Sequence, residues 1–158
     1  MMNKTIQALM KTVKRVGGGE CRPASAEDLK RAKEAGFPSE LIDFYRQCEP
    51  NGVIQLQQRI WSIENALVEN TGVVPGCALS PHGFIVFAST ICGDSYCIDT
   101  NVKTAEGQHP VVLFSHEVIG EDASLPDILP LRLEVAKSFE EFLVKFKDET
   151  LIDEPLFG

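Results

Sequence analysis

Gly83-Phe84-Ile85-Val86-Phe87-Ala88-Ser89-Thr90-Ile91-Cys92-Gly93-Asp94-Ser95-Tyr96-Cys97-Ile98-Asp99 holds two β-branched and aromatic runs joined by a glycine-aspartate pair. Runs of this kind bounded by Gly and Asp read as strands, and Gly supplies the positive φ that a tight turn needs. Residues 84–99 therefore read as an antiparallel hairpin. Alternation along its second strand puts Tyr96 and Ile98 on one face, with Ser95, Cys97 and Asp99 on the other.

Two further short runs flank the hairpin, Val53-Ile54-Gln55-Leu56 before it and Pro110-Val111-Val112-Leu113-Phe114 after it. Trp61 to Leu67 reads as a strand end passing into a short capped helix. Residues 69–82, with Gly72, Pro75, Gly76 and Pro81 and no clear period, read as loop.

The rest of the chain has helical spacing. Ile6, Leu9/Met10, Val13 and Val16 recur along a first helix whose other face carries Lys4, Lys11, Lys14 and Arg15. Gly17-Gly18-Gly19 ends it. Nothing local shows what this apolar stripe packs against, and a loosely attached appendage is the expectation. Ser25-Ala26-Glu27-Asp28 is an N-cap with an acid three positions on, and Gly36 closes that helix. Pro38 suits the first turn of a third helix with Leu41, Ile42, Phe44/Tyr45 and Cys48 inward and Asn51-Gly52 at its end. Ser138-Phe139-Glu140-Glu141 reads as a capping box that opens a last helix with Phe139, Phe142/Leu143 and Phe146 as its stripe, and residues 150–158 read as a frayed tail. Helices, then antiparallel strands, then one closing helix make an α+β domain. The division expected is 1–19 (amphipathic helix and glycine joint), 20–150 (the α+β domain) and 151–158 (tail).

Charge is uneven. Residues 1–46 carry nine Lys/Arg against six Asp/Glu, and residues 47–158 carry six against seventeen, a balance of −11. Such a domain has the wrong field for gripping phosphates and the right one for a basic protein partner. Acidity of this size also serves plain solubility. The odd count of five cysteines, without a CxxC pair or a secretory segment, argues against a disulfide framework and for a reducing, cytoplasmic setting. No apolar run is long enough to span a bilayer.

Motifs of catalysis are missing: GxSxG, the P-loop, GxGxxG and HExxH do not occur. Cys92 and Cys97 flank the hairpin turn, but His82, His109 and His116 are scattered and no ligand pair has zinc spacing. No metal or cofactor is expected, and a cysteine nucleophile would need a histidine brought to it in space.

Four stretches together resemble the SUKH superfamily, whose namesakes are the Smi/Knr-type cell-wall regulators of fungi. Gly36 to Tyr45 ending in Asn51-Gly52 resembles the helix running from "G-x-P" to "N-G", although Val53 stands where the family often has a second glycine. Gly83 to Ala88 is similar to its central strand, Gly93 to Asp99 to its "G-D-x-Y-x-x-D" hairpin, and Ser138 to Leu143 to its "S-F-E-E-F-L" helix. The resemblance covers roughly residues 25–147 and implies a twisted antiparallel sheet with helices packed beside it, without catalysis. Bacterial members are mostly immunity proteins that neutralise toxins, often nucleases or deaminases. The expected function is thus binding of a basic toxin domain, with a regulatory or scaffolding module for an endogenous protein as the alternative. In that alternative the first helix docks in a partner's groove. Expected partner contacts are Trp61, Asp94, Tyr96, Asp99, Glu117, Glu121 and Asp122, with neither nucleic acid nor membrane as partner. Gly93-Asp94 equally fits a purely structural turn, and Trp61 a core position.

Overall fold

The computed structural model describes residues 2–158, with side chains from Lys4 onward. Its strands are β1 (Cys21–Arg22), β2 (Glu49–Pro50), β3 (Val53–Gln55), β4 (Arg59–Trp61), β5 (Phe84–Ser89), β6 (Ser95–Asp99), β7 (Val111–Phe114) and β8 (Leu133–Ala136). Its helices are α1 (Met2–Val16), α2 (Ala26–Glu34), α3 (Ser39–Gln47), α4 (Ile63–Gly72), α5 (Gly76–Leu79), α6 (Leu125–Ile128) and α7 (Phe139–Asp148). Strands β3 to β8 form one antiparallel sheet in chain order, and β1 and β2 form a separate pair. This is the α+β arrangement expected, with helices against an antiparallel sheet.

Strands β5, β6 and β7 are buried at every position. An antiparallel strand is buried on both sides only if something covers each face, and here two cores do. On one face Ile85, Phe87, Ala88, Tyr96, Ile98, Val111 and Leu113 meet the apolar sides of α1, α3 and α7. On the other, Phe84, Val86, Cys97, Val112 and Phe114 meet Ala78, Leu79, Ile119, Ile128 and Leu131. The split follows the two-residue period as far as Val86. There the pairing with β6 shifts by one residue, so that Phe87 and Ala88 both turn to the first face.

That bulge leaves backbone groups to satisfy, because β4 pairs with β5 only at Ala88 and Ser89. Asn70, buried near the end of α4, takes the place of a neighbouring strand. Its Oδ1 accepts from the Val86 N–H at 2.9 Å, and its Nδ2 donates to the Val86 carbonyl at 2.8 Å and to that of Ala66 at 2.7 Å. Residues 69–82 are accordingly not the loop that their glycines and prolines suggested. They hold the end of α4, then α5, then a single 3-10 turn at Ser80–His82. Asn70→Leu keeps the volume but strands a buried N–H and a buried C=O, each costing about 1–3 kcal/mol. A net loss of about 2–3 kcal/mol is expected in urea unfolding, and an unchanged midpoint would mean that these groups find another partner.

Both chain ends are tied down. Ile6, Leu9 and Val13 are buried in the first core, and Thr5 Oγ1 donates to Glu140 Oε1 at 3.0 Å. Helix α1 is therefore integral to the packing, and the expectation of a loose appendage is corrected. The three glycines after it do more than stop it. Gly17, at φ 69°, and the Gly18 N–H bonded to the Val13 carbonyl close the helix as a Schellman cap. Gly18 then lies against edge strand β3 and accepts from the Gln55 N–H at 2.8 Å. A Cβ there would sit 2.6 Å from the Gln55 carbonyl oxygen, so the segment that covers the edge needs a bare backbone. At the other end, Leu151 and Pro155 are buried, and the Ile152 carbonyl accepts from the Tyr96 hydroxyl at 2.7 Å. The tail is pinned rather than frayed at these points. No helix among the described residues is long and apolar enough to cross a membrane.

Candidate protein-interaction site

The turn between β5 and β6 is built from its own residues. Gly93, at φ 96°, lets its N–H reach the Thr90 carbonyl, and the Asp94 N–H donates to Thr90 Oγ1 at 3.0 Å. Asp94, a buried residue at 6% exposure, then reaches with its side chain across to the end of β7. Its Oδ1 accepts from the His116 N–H at 3.1 Å and lies 2.7 Å from His116 Nδ1. A carboxylate only accepts, so Nδ1 carries the proton on this imidazole. Asp94 is thus both the turn residue and the anchor for the loop after β7.

That loop lies over the second core. Ile119, Ile128 and Leu131 face inward, and the Ser115 hydroxyl accepts from the Glu117 N–H at 3.0 Å. A reciprocal cap between Ser124 and Asp127 starts α6, and the Ser124 hydroxyl bond holds the Asp127 carboxyl below its usual range. With those side chains committed, the solvent side of the same segment presents Glu117, Val118, Glu121, Asp122, Leu125 and Leu129. Val118, Leu125 and Leu129 are 39%, 37% and 50% exposed. No Lys or Arg occurs between Lys103 and Arg132. Carboxylates interleaved with exposed aliphatic side chains make a face suited to a protein surface that is basic at its rim and apolar at its centre.

The other expected contacts lie elsewhere. Tyr96 is fully buried on the opposite side of the sheet, and burial pushes its phenol well up. Asp99 is 1% exposed at the far end of β6, about 17 Å along the strand from Asp94. Its Oδ2 accepts from Arg132 Nε at 2.7 Å and its Oδ1 from the Asn101 N–H at 3.0 Å. Trp61 is half-buried against the first core on β4, with its indole N–H buried and without a hydrogen-bond partner. The hairpin trio is therefore dispersed: Asp94 borders the acidic segment, while Tyr96 and Asp99 are interior.

Sequence reasoning missed His116 and the exposed aliphatics at 118, 125 and 129. The signal available was the stretch itself, acidic, periodically apolar and free of lysine and arginine. Cys97 is sealed in the second core, where burial drives its thiol pKa up and so disfavours the thiolate, whereas Cys92 is exposed at the turn. Among the described residues, no group of three or more His, Cys, Asp or Glu is placed to hold a metal ion.

A family model described as the SMI1 / KNR4 family (SUKH-1) matches residues 23–145. The chain belongs to this family. A comparison with curated proteins finds no match. In this SUKH-1 protein the match takes in α2 through most of α7, including the Asp94 turn and the acidic segment. Helix α1, the glycine joint, β1 and the pinned C-terminal residues lie outside it.

Proposed function

We propose that this SUKH-1 protein is a non-catalytic binding domain that neutralises a toxin of nuclease or deaminase type by docking on its basic, substrate-binding face. The observation that carries this reading is the segment 117–129, with its exposed acids and aliphatics and no balancing cation. Membership in the family is consistent with protein binding in general. On this reading the carboxylates speed encounter, while Val118, Leu125 and Leu129 slow departure by leaving water on contact. Asp94 works indirectly, by holding the loop through His116.

The regulatory alternative had a specific route, in which the apolar stripe of α1 docks in a partner's groove. Ile6, Leu9 and Val13 are already buried, so that stripe is occupied.

The test is co-expression with a nuclease or deaminase toxin domain found encoded beside its gene, followed by measurement of association at low and moderate salt. Glu117→Lys, Glu121→Lys and Asp122→Lys combined should slow association at least about tenfold and flatten its salt dependence. Leu129→Asp should instead hasten dissociation. Full protection by both variants would remove this face from the proposal, and capture of a resident cellular protein with no protection would favour the regulatory module.

A further inference from the structure

Segment 117–129 suits a surface that is basic at its rim and apolar at its centre, and the chain carries one such surface itself. Helix α1 and the residues after its glycine joint border an open groove of about 450 Å³. Met10, Val13 and Cys21 give it apolar walls, and Lys11 and Lys14, neighbours on the helix surface, stand beside them. Both lysines are exposed, and neither ammonium has an ion-pair or hydrogen-bond partner among the described residues. Glu20 is the single acid among the described lining residues.

The size of the groove narrows what fills it. From Met10 to Lys14 it follows α1 for about 6 Å, little more than one helical turn. A long amphipathic helix needs more than that, whereas two aliphatic side chains four residues apart match it. Leu125 and Leu129 have that spacing on α6 and the turn that continues it, and both are exposed. Glu121 and Asp122 lie just before them. We propose that the groove takes segment 117–129 of a second copy of this chain, with Leu125 and Leu129 entering it and Glu121 and Asp122 meeting Lys11 and Lys14.

The fold dictates the kind of assembly. Helix α1 packs on the first core and segment 117–129 covers the second, so the two surfaces lie on opposite sides of the sheet. Contact between them is head-to-tail. Each added copy brings a free groove or a free acidic segment, and association runs past the dimer into rings or filaments. Copies of net charge −8 repel at a distance. At about 0.1 M salt the Debye length is about 10 Å, which screens that repulsion while ion pairs at contact persist. A toxin docked on 117–129 would compete with the second copy, but self-association needs no toxin, so either can fail without the other.

The test is sedimentation velocity of the full chain alone, from about 10 μM to 1 mM at about 0.1 M salt. The weight-average mass should climb past that of a dimer without a plateau. Lys11→Glu with Lys14→Glu should stay monomeric throughout, and so should Glu121→Lys with Asp122→Lys. Leu129→Asp should raise the concentration at which association begins by at least about tenfold. Mixed in equal amounts, the two charge variants should form a one-to-one pair that grows no further, since one keeps only the acidic segment and the other only the groove. Native circular dichroism and melting of each variant check that these exposed substitutions leave the fold intact. A native chain that stays monomeric at the top of the range overturns the proposal. So does a mass that levels at the dimer, a charge variant that assembles as the native chain does, or a mixture of the two that stays monomeric.

Discussion

Phe142→Ala should lower the free energy of unfolding by about 3–5 kcal/mol. Phe142 is fully buried, and its ring sits 4.8 Å from Phe87 and 5.2 Å from Tyr96, both edge-on. It also lies within a stack that includes Phe139 at 6.4 Å and Phe146 at 6.1 Å. Truncation removes the transfer energy of a large aromatic and leaves a cavity between α7 and the centre of the sheet, where strand and helix backbones are too constrained to close it. Edge-to-face contacts of this kind add roughly 0.5–1.5 kcal/mol beyond area burial. Urea unfolding with an unchanged m-value is the measurement. A loss under about 1 kcal/mol would mean that α7 collapses onto the sheet more readily than its packing suggests. Phe142→Leu, which keeps most of the volume, should recover more than half of the loss.

Arg132→Met should cost about 3 kcal/mol, the lower end of what is found when one member of a buried ion pair is removed. The lower end applies because the Arg132 side chain is 23% exposed, so water reaches part of the site, whereas that of Asp99 is only 2% exposed. Asp99 also organises the turn after β6 by accepting from Asn101, which in turn donates to the His82 carbonyl at 2.8 Å. Without the guanidinium the carboxylate is left buried with only neutral donors. Introducing Asp99→Asn into the Arg132→Met background should therefore recover part of the loss, giving a coupling energy of about 1–3 kcal/mol in the double-mutant cycle. Strictly additive losses would show that the two side chains act independently, and the ion pair would then be incidental.

These two sites differ in how far they could be read in advance. The phenylalanine stripe of α7 was visible as a period, and Ser138 does cap the helix by accepting from the Glu141 N–H at 3.1 Å. The second half of the expected capping box is displaced by one residue, because Glu141 accepts from the Lys137 N–H at 3.3 Å. Asp99 was visible only as the last letter of a motif. That it is an interior ion-pair partner depends on Arg132, which is 33 residues away in sequence. The candidate site was legible in the same partial way. Glu117, Glu121 and Asp122 are exposed on the acidic segment, but Tyr96 was drawn inside by the pairing of β6 between β5 and β7.

What the sequence determined by itself is whatever depends on neighbours along the chain. The hairpin of 84–99, the caps at Ser25 and Ser138, the positive φ at Gly93 and the amphipathic stripes all follow from residue spacing and local backbone preference. What only the tertiary structure decided is where each face goes and which polar group answers which. The stripe of α1 became core because α3 and α7 left a site for it, and Asn70 replaced a strand because β5 bulges at Val86. Such pairings carry no local signature, since their energy comes from burial and from hydrogen bonds between residues that come together only once the chain has closed on itself.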